Sequence, residues 1–266
     1  MNAITIAVCV LGGVVAGLGN GFIGASASGT LAPILIALTG MNPYMAIAYA
    51  LSVDTVASVS SSAVYARNKH VDVKHGAALI LPALVFAVIG SYVASKMPSA
   101  SLGCMTMIFM IALGAGFLRR SRKAEDPDQD KQKGKKQLPL AARQAICAGI
   151  GAVIGLMCGL MGAGGGMMIF IPLVAFLGYE VRTGVGTGVA IMAIMAGVGA
   201  FSHFSIAGID NVVELLICVA VAAIVSPLAA AIANHVNTRS MYRITGIVLL
   251  ILGVVVLAFY VATQML

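Results

Sequence analysis

Ten apolar stretches organise the chain. They run over residues 4–18, 22–38, 44–65, 76–95 and 101–118, stop at one charged segment, and resume over 144–160, 162–178, 184–206, 211–233 and 243–262. Several reach the ~20 residues that cross ~30 Å of hydrocarbon at 1.5 Å per residue. The first two of each set are shorter, which predicts re-entrant hairpins or thin, tilted crossings. Composition agrees: 60% of the 266 residues are hydrophobic and 9% charged, with a mean hydropathy of +1.03. Soluble domains are roughly a quarter charged. The fold expected is an all-α polytopic membrane protein.

The charge is concentrated rather than spread. Nine of the sixteen Lys and Arg lie between Arg119 and Arg143, so the net charge of +7 describes one segment and not a nucleic-acid-binding face. The start "MNAITIAVCVLGG" has no positive n-region and no clear cleavage site, and reads as the first membrane segment rather than a signal peptide. Cys9, Cys104, Cys147, Cys158 and Cys218 lie singly in apolar runs and read as small hydrophobes. His70, His75, His203 and His235 are scattered, which speaks against a membrane enzyme, a metal site or a cofactor.

The segment "RRSRKAEDPDQDKQKGKKQLP" is charged and carries no apolar periodicity, as a linker between two halves would. The division predicted is a first membrane repeat over 1–118, a linker over 119–143 and a second repeat over 144–266. The positive-inside rule places the linker in the cytoplasm. With five segments per half, fifteen of the sixteen basic residues fall on that side and only Lys96 opposite, and both termini are periplasmic. Four segments per half would give a poorer twelve to four.

A shift of 138 aligns Gly17 with Gly155, Gly21 with Gly159, Gly24 and Ala25 with Gly162 and Ala163, Gly40 with Gly178, and Asp72 with Asp210. After one residue of slip, Gly114 meets Gly253. The chain reads as a duplication. An odd number of segments per copy makes the second copy run opposite to the first, the inverted-repeat design of many secondary transporters, whose substrate site lies near the midplane at broken helices. The matching short, Gly-interrupted pairs are "GLGNGFIGASASGT" and "GLMCGLMGAGGGMM".

A break in a membrane helix leaves N–H and C=O groups that protein, water or a ligand must satisfy. Glycine allows close approach, and a following helix N-terminus suits an anion. Gly19, Asn20, Gly24, Ser26, Ser28 and Thr30 in the first break, and Gly162, Gly164, Gly165 and Gly166 in the second, are the expected substrate-binding residues. The same glycines also suit tight helix packing, Gly17 and Gly21 above all. Asp54 sits near the middle of a full-length span, where an ionisable residue is costly and commonly carries a proton or coupling cation. With Ser58, Ser61, Ser62 and Tyr65 it forms one helical stripe, a polar pathway. A hydrogen-bonded aspartate tying two helices together is the alternative. In an anion transporter, a proton on Asp54 would lift its repulsion for substrate and couple the two fluxes. Thr183 and Thr187, one turn apart, are further binding candidates, or back-bond to their own helix. His203 stands at the repeat position of Tyr65 and joins the pathway list. Asp72 and Asp210, the matched loop acids, read as structural.

The glycine-rich break, the "RTGVGTGVAIM" helix start and the "HVD" and "GID" loop ends together resemble the TauE/SafE family of sulfite exporters. The likeness covers residues 4–262 and is strongest in "GLMGAGGGMMIFIPLV", "VGTGVAIM" and "AGID". The first half departs from it at Ala48, Tyr49 and Ala50 and in "GASASG". The resemblance implies export of a small sulfur-containing anion such as sulfite or sulfoacetate from a bacterium, across the inner membrane, with Gly162–Gly166 and Thr187 as site residues. The partners expected are that anion and the lipid bilayer, with a homodimer allowed and no nucleic acid. Uptake coupled to a cation or proton, or a scaffold that transports nothing, are the competing readings.

Overall fold

The computed structural model describes residues 2–72, 77–123, 140–162, 166–175, 179, 181–233 and 238–265. Among these residues there are ten helices and no strand. They are α1 (Ala3–Ile23), α2 (Ser28–Thr39), α3 (Pro43–Arg67), α4 (Ala77–Lys96), α5 (Ser99–Lys123), α6 (Leu140–Met161), α7 (Gly166–Ala175), α8 (Val181–Ala207), α9 (Val212–Ala233) and α10 (Thr238–Met265). Eight are long and apolar enough to cross a membrane; α2 and α7 are not. The chain is a multi-pass membrane protein. One expectation is corrected: the first segment of each half is not short. α1 runs for 21 residues and α6 for 22, straight through the glycines that look like an interruption. A helix satisfies its own backbone, so in hydrocarbon it continues until a residue leaves the helical region. That residue is Gly24 in the first half (φ 65°) and Gly162 in the second (φ 70°), both left-handed, where a side chain would be strained.

α3 and α8 lie side by side at the centre. Gly199 faces Leu51, Gly197 faces Thr55 and Gly186 faces Tyr65, so the two helices run antiparallel. Their flanking pairs match across the halves. α1 packs on α9 through Gly13, Gly17 and Gly21, which face Cys218, Val225 and Ser226. α6 packs on α4 through Gly151, Gly155 and Gly159, which face the carbonyls of Leu79, Ala83 and Ala87. Both are parallel pairs with glycine at every fourth residue, the spacing that puts small residues on one face and lets backbones meet. α5 and α10 pair antiparallel, with Gly114 against Leu250 and Gly246 against Leu118.

The helix ends gather into two sets. Thr5, Thr39, Asn42, Asp210, Asn211 and Glu214 surround one cavity of about 210 Å³. Arg122, Arg239 and Arg243 surround another of about 370 Å³ at the end where α5 leads into the linker. α2 returns from its start beside the middle of α3 to the end of the bundle where α1 begins. The first two helices are therefore a full-length helix and a half-length return.

The glycine faces generate a prediction. Gly155→Val or Gly159→Val should destabilise the protein by about 1–3 kcal/mol or more through overpacking, read as a lower thermal unfolding midpoint in detergent. Gly116→Ala and Gly149→Ala, where nothing lies within 4 Å, should leave the midpoint unchanged or raise it, since Ala favours helix over Gly by about 1 kcal/mol. Equal effects at both sets of positions would mean that the close approaches do not hold the pairs together.

Candidate functional site

The site begins where α1 stops. The Gly24 N–H donates to the Asn20 carbonyl at 2.9 Å, and the Ala25 N–H to the Gly19 carbonyl at 3.0 Å, turning the chain back toward α3. α2 then starts at Ser28, and its first N–H groups have no partner inside the helix. Asp54, at the middle of α3, supplies it. Its carboxylate accepts from the Ala27 N–H, from the Ser28 N–H at 3.3 Å, and from the hydroxyls of Ser26 and Ser28. The Asn20 side-chain amide adds a weak contact at 3.5 Å. No Lys or Arg among the described residues pairs with Asp54. The charge is held by N–H and O–H donors and by the positive end of α2.

Asn20 carries the network on to α3 and α9. It donates to Ser58 Oγ at 2.9 Å and accepts at its side-chain oxygen from Ser61 (2.9 Å) and Ser226 (3.1 Å). Ser226, on α9, is the member that sequence reasoning missed. A single serine in a strongly apolar helix, next to Pro227, was the only signal for it. The cluster is closed to solvent: Asn20, Ser28 and Ser58 are fully buried and Asp54 is 1% exposed.

The second break meets the first here. The Ser26 Oγ also lies 3.1 Å from the Gly162 carbonyl oxygen, a second acceptor in reach of the one proton it shares with Asp54. A Cβ built on Gly162 would strike the Ser28 side chain, and one on Gly166 would lie 3.0 Å from the Gly24 carbonyl oxygen. Only bare backbone fits at this crossing. A second residue that the sequence reading passed over lies on α8. The shift of 138 that carries Ser28 to Gly166 carries Asp54 to Met192, and the Gly166 N–H donates to the Met192 sulfur at 2.8 Å. The two half-length helices therefore begin under different caps, a carboxylate on α2 and a thioether on α7.

Other expected residues take other places. Gly164 and Gly165 lie outside the described residues. Thr30 bonds the Ala27 carbonyl at 2.8 Å and closes the first turn of α2. Tyr65 donates to the Gly21 carbonyl at 3.3 Å, one end of the polar stripe, while partly exposed Ser62 bonds back to Val59 at 3.0 Å. The Thr187 hydroxyl accepts from the Asp72 N–H at 2.9 Å, pinning the loop before α4, as Tyr49 pins Asn211 before α9. Thr183 is half-buried in the first turn of α8. His203 lies toward the opposite end of α3 from Tyr65. It stacks on Tyr44 at 4.4 Å between ring centroids, sets Nδ1 3.0 Å from the Gly199 carbonyl, and leaves Nε2 buried without a partner among the described residues. No three His, Cys, Asp or Glu side chains among the described residues come close enough to share a metal.

The family model described as "Sulfite exporter TauE/SafE" matches residues 9–256. The chain belongs to this family. It is similar to the probable membrane transporter protein YunE of Bacillus subtilis (strain 168), at 25% identity over 262 residues that cover 92% of this chain and 95% of the relative. No solved structure matches it. This TauE/SafE member is thus a membrane transporter and not an enzyme, and its two chain breaks converge on a buried carboxylate.

Substitutions should rank by the number of donors they strand. Asp54→Leu leaves the Ala27 and Ser28 N–H donors unpaired in a dry site, a cost of about 1–3 kcal/mol for each group, while the Ser26 and Ser28 hydroxyls fall back on the Gly162 carbonyl and on each other, and it should lower the thermal midpoint most. Asp54→Asn keeps the shape and one acceptor and should cost less. Ser226→Ala should cost about 1 kcal/mol or less, because Asn20 retains Ser61. An Asp54→Leu protein that melts with the wild type would show that the carboxylate is not what holds the α2 start.

Proposed function

We propose that the protein is a secondary transporter that exports a small sulfur-containing anion, sulfite or a short organosulfonate, by alternating access of two inverted repeats. The observation that carries this reading is the unequal capping of α2 and α7. A helix N-terminus attracts an anion, and at α2 that position is filled by the protein's own Asp54. At α7 the amide is held by a thioether, a weak acceptor that a ligand anion displaces at little cost. Substrate binds against the α7 start, beside Gly162 and Gly166, while the Asp54 charge next to it opposes binding. A proton taken up by Asp54 removes that opposition, so anion and proton move as a linked pair. Antiparallel α3 and α8, the matching flanking pairs and the closed state of the cluster support a two-fold design that opens to one side at a time.

Flux in proteoliposomes tests the reading. Sulfite should cross, and an imposed pH gradient should drive its accumulation. Asp54→Asn should abolish that accumulation and leave exchange intact. Met192→Asp should lower flux in every mode by about tenfold or more, since it fills an anion pole worth up to ~2 kcal/mol. Passage of neutral solutes, with sulfite and short sulfonates excluded, would sink the proposal. So would pH-driven accumulation that Asp54→Asn leaves unchanged.

The same reading places the protein in a bacterial inner membrane with the linker cytoplasmic and both termini periplasmic. A C-terminal reporter that is active only in the periplasm should give signal. Signal from a cytoplasm-only reporter at that position would reverse the orientation.

A further inference from the structure

The two halves of the chain grip each other at two places, one at each end of the bundle. Tyr49 is the seventh residue of α3 and Thr187 the seventh of α8, and the shift of 138 carries one onto the other. Both are fully buried. The Tyr49 hydroxyl donates to the Asn211 carbonyl at 2.9 Å and accepts from the Asn211 N–H at 2.7 Å. At the other grip, the Thr187 hydroxyl accepts from the Asp72 N–H at 2.9 Å, and the Tyr179 hydroxyl donates to the Asp72 carbonyl at 3.0 Å. In each case hydroxyls of one half take both backbone groups of a single loop residue in the other half. The two loop residues correspond as well: Asp72 precedes α4, Asn211 precedes α9, and Asn211 lies one residue past the repeat counterpart of Asp72.

The grips lie on opposite sides of the crossing where Ser26 meets Gly162. Asn211 lines the cavity at the end where α1 begins, and so does Asn42, the residue from which α3 sets out. Asp72 follows α3 and therefore stands at the other end, beside the linker. A tilt of one half against the other about the crossing separates them at one end and presses them together at the other, the motion by which inverted repeats expose a central site to alternate sides. Hydrogen bonds from hydroxyls to backbone are directional, and their net strength is modest because water replaces them at a membrane surface. They hold an end shut and still let it open. We propose that these are the two gates of the transport cycle. Tyr49 on Asn211 shuts the end where α1 begins, Thr187 and Tyr179 on Asp72 shut the linker end, and the two release in turn. The inference rests on the alternating-access reading and adds to it the residues that act on each side.

Two native cysteines report on the two ends. The shift of 138 carries Cys9 to Cys147, and both are buried. Cys9 is covered by α9 about two turns beyond Asn211, where the Cys218 thiol lies 3.7 Å from the Cys9 carbonyl oxygen. Cys147 lies one turn before Gly151, which meets Leu79, and so sits by the start of α4, beyond Asp72. The full-length protein in neutral detergent is treated with a charged, water-soluble maleimide, and labelling is mapped by peptide mass spectrometry. Tyr49→Phe, which removes both bonds to Asn211, should raise the labelling rate of Cys9 by about tenfold and leave Cys147 at the wild-type rate. Thr187→Val should raise Cys147 by about fivefold and leave Cys9 unchanged. Adding Tyr179→Phe should raise Cys147 further, and Thr187→Ser, which keeps the hydroxyl, should label as the wild type does. No rise in either variant, equal rises at both cysteines, or rises at the wrong ends overturn the proposal. If Thr187→Val does not fold, Tyr49→Phe decides by itself: a rise confined to Cys9 supports the gates, and a uniform or absent rise removes them. Labelling needs no substrate, so the two readings fail separately. Side-specific labelling in a protein that moves no sulfite would sink the export reading alone, and sulfite flux without side-specific labelling would sink the gates alone.

Discussion

The carboxylate of Asp54 at the start of α2 is the contact on which the central architecture depends. A half-length helix that begins inside a membrane has N–H groups with nowhere to go, and hydrocarbon supplies no water to take them. Asp54 takes two of those amides and the hydroxyls of Ser26 and Ser28 at once. The same geometry resolves the difficulty of an aspartate deep in a bundle, since its charge meets a helix dipole and donors instead of lipid. Each half of the arrangement would be unstable without the other. The polar side chains of the first break therefore serve the protein's own anion, and through Asn20 they bind α1, α3 and α9 into one network.

The two halves share a plan and differ in its chemistry. Glycine at every fourth residue brings α1 onto α9 and α6 onto α4, and Gly24 and Gly162 end their helices with the same left-handed turn. Onto this common frame the first half places a carboxylate and the second a methionine sulfur at the matching position. The difference between Asp54 and Met192 makes the two helix starts chemically unequal, one held by a carboxylate and the other by a thioether.

Much of the candidate site was legible because it consists of exceptions to an apolar pattern. Asp54 stood out as a charge in mid-span, and Asn20, Ser26 and Ser28 as polar residues beside glycine. Their mutual bonding was not legible, because nothing in the order of residues says that α3 passes the start of α2. Ser226 and Met192 were harder still. A lone serine and a methionine in apolar helices become notable only when a partner 206 or 26 residues away is placed against them. Thr187 shows the reverse: its position invites a binding role, while its hydroxyl holds a loop.

The sequence by itself determined that the chain lives in a bilayer and where its apolar helices run among the described residues, because hydrophobic length is a local property that survives in one dimension. Where the first helix ends was decided only by the tertiary structure. Gly17, Gly19 and Gly21 permit a break but do not require one, and the helix stops at Gly24 because from there the chain can turn and hand its next amides to Asp54. The same holds for the pairing of the two breaks and for the hydroxyl grips on Asp72 and Asn211. Both depend on residues far apart in the chain whose meeting is set by packing, and no pattern along the chain records it.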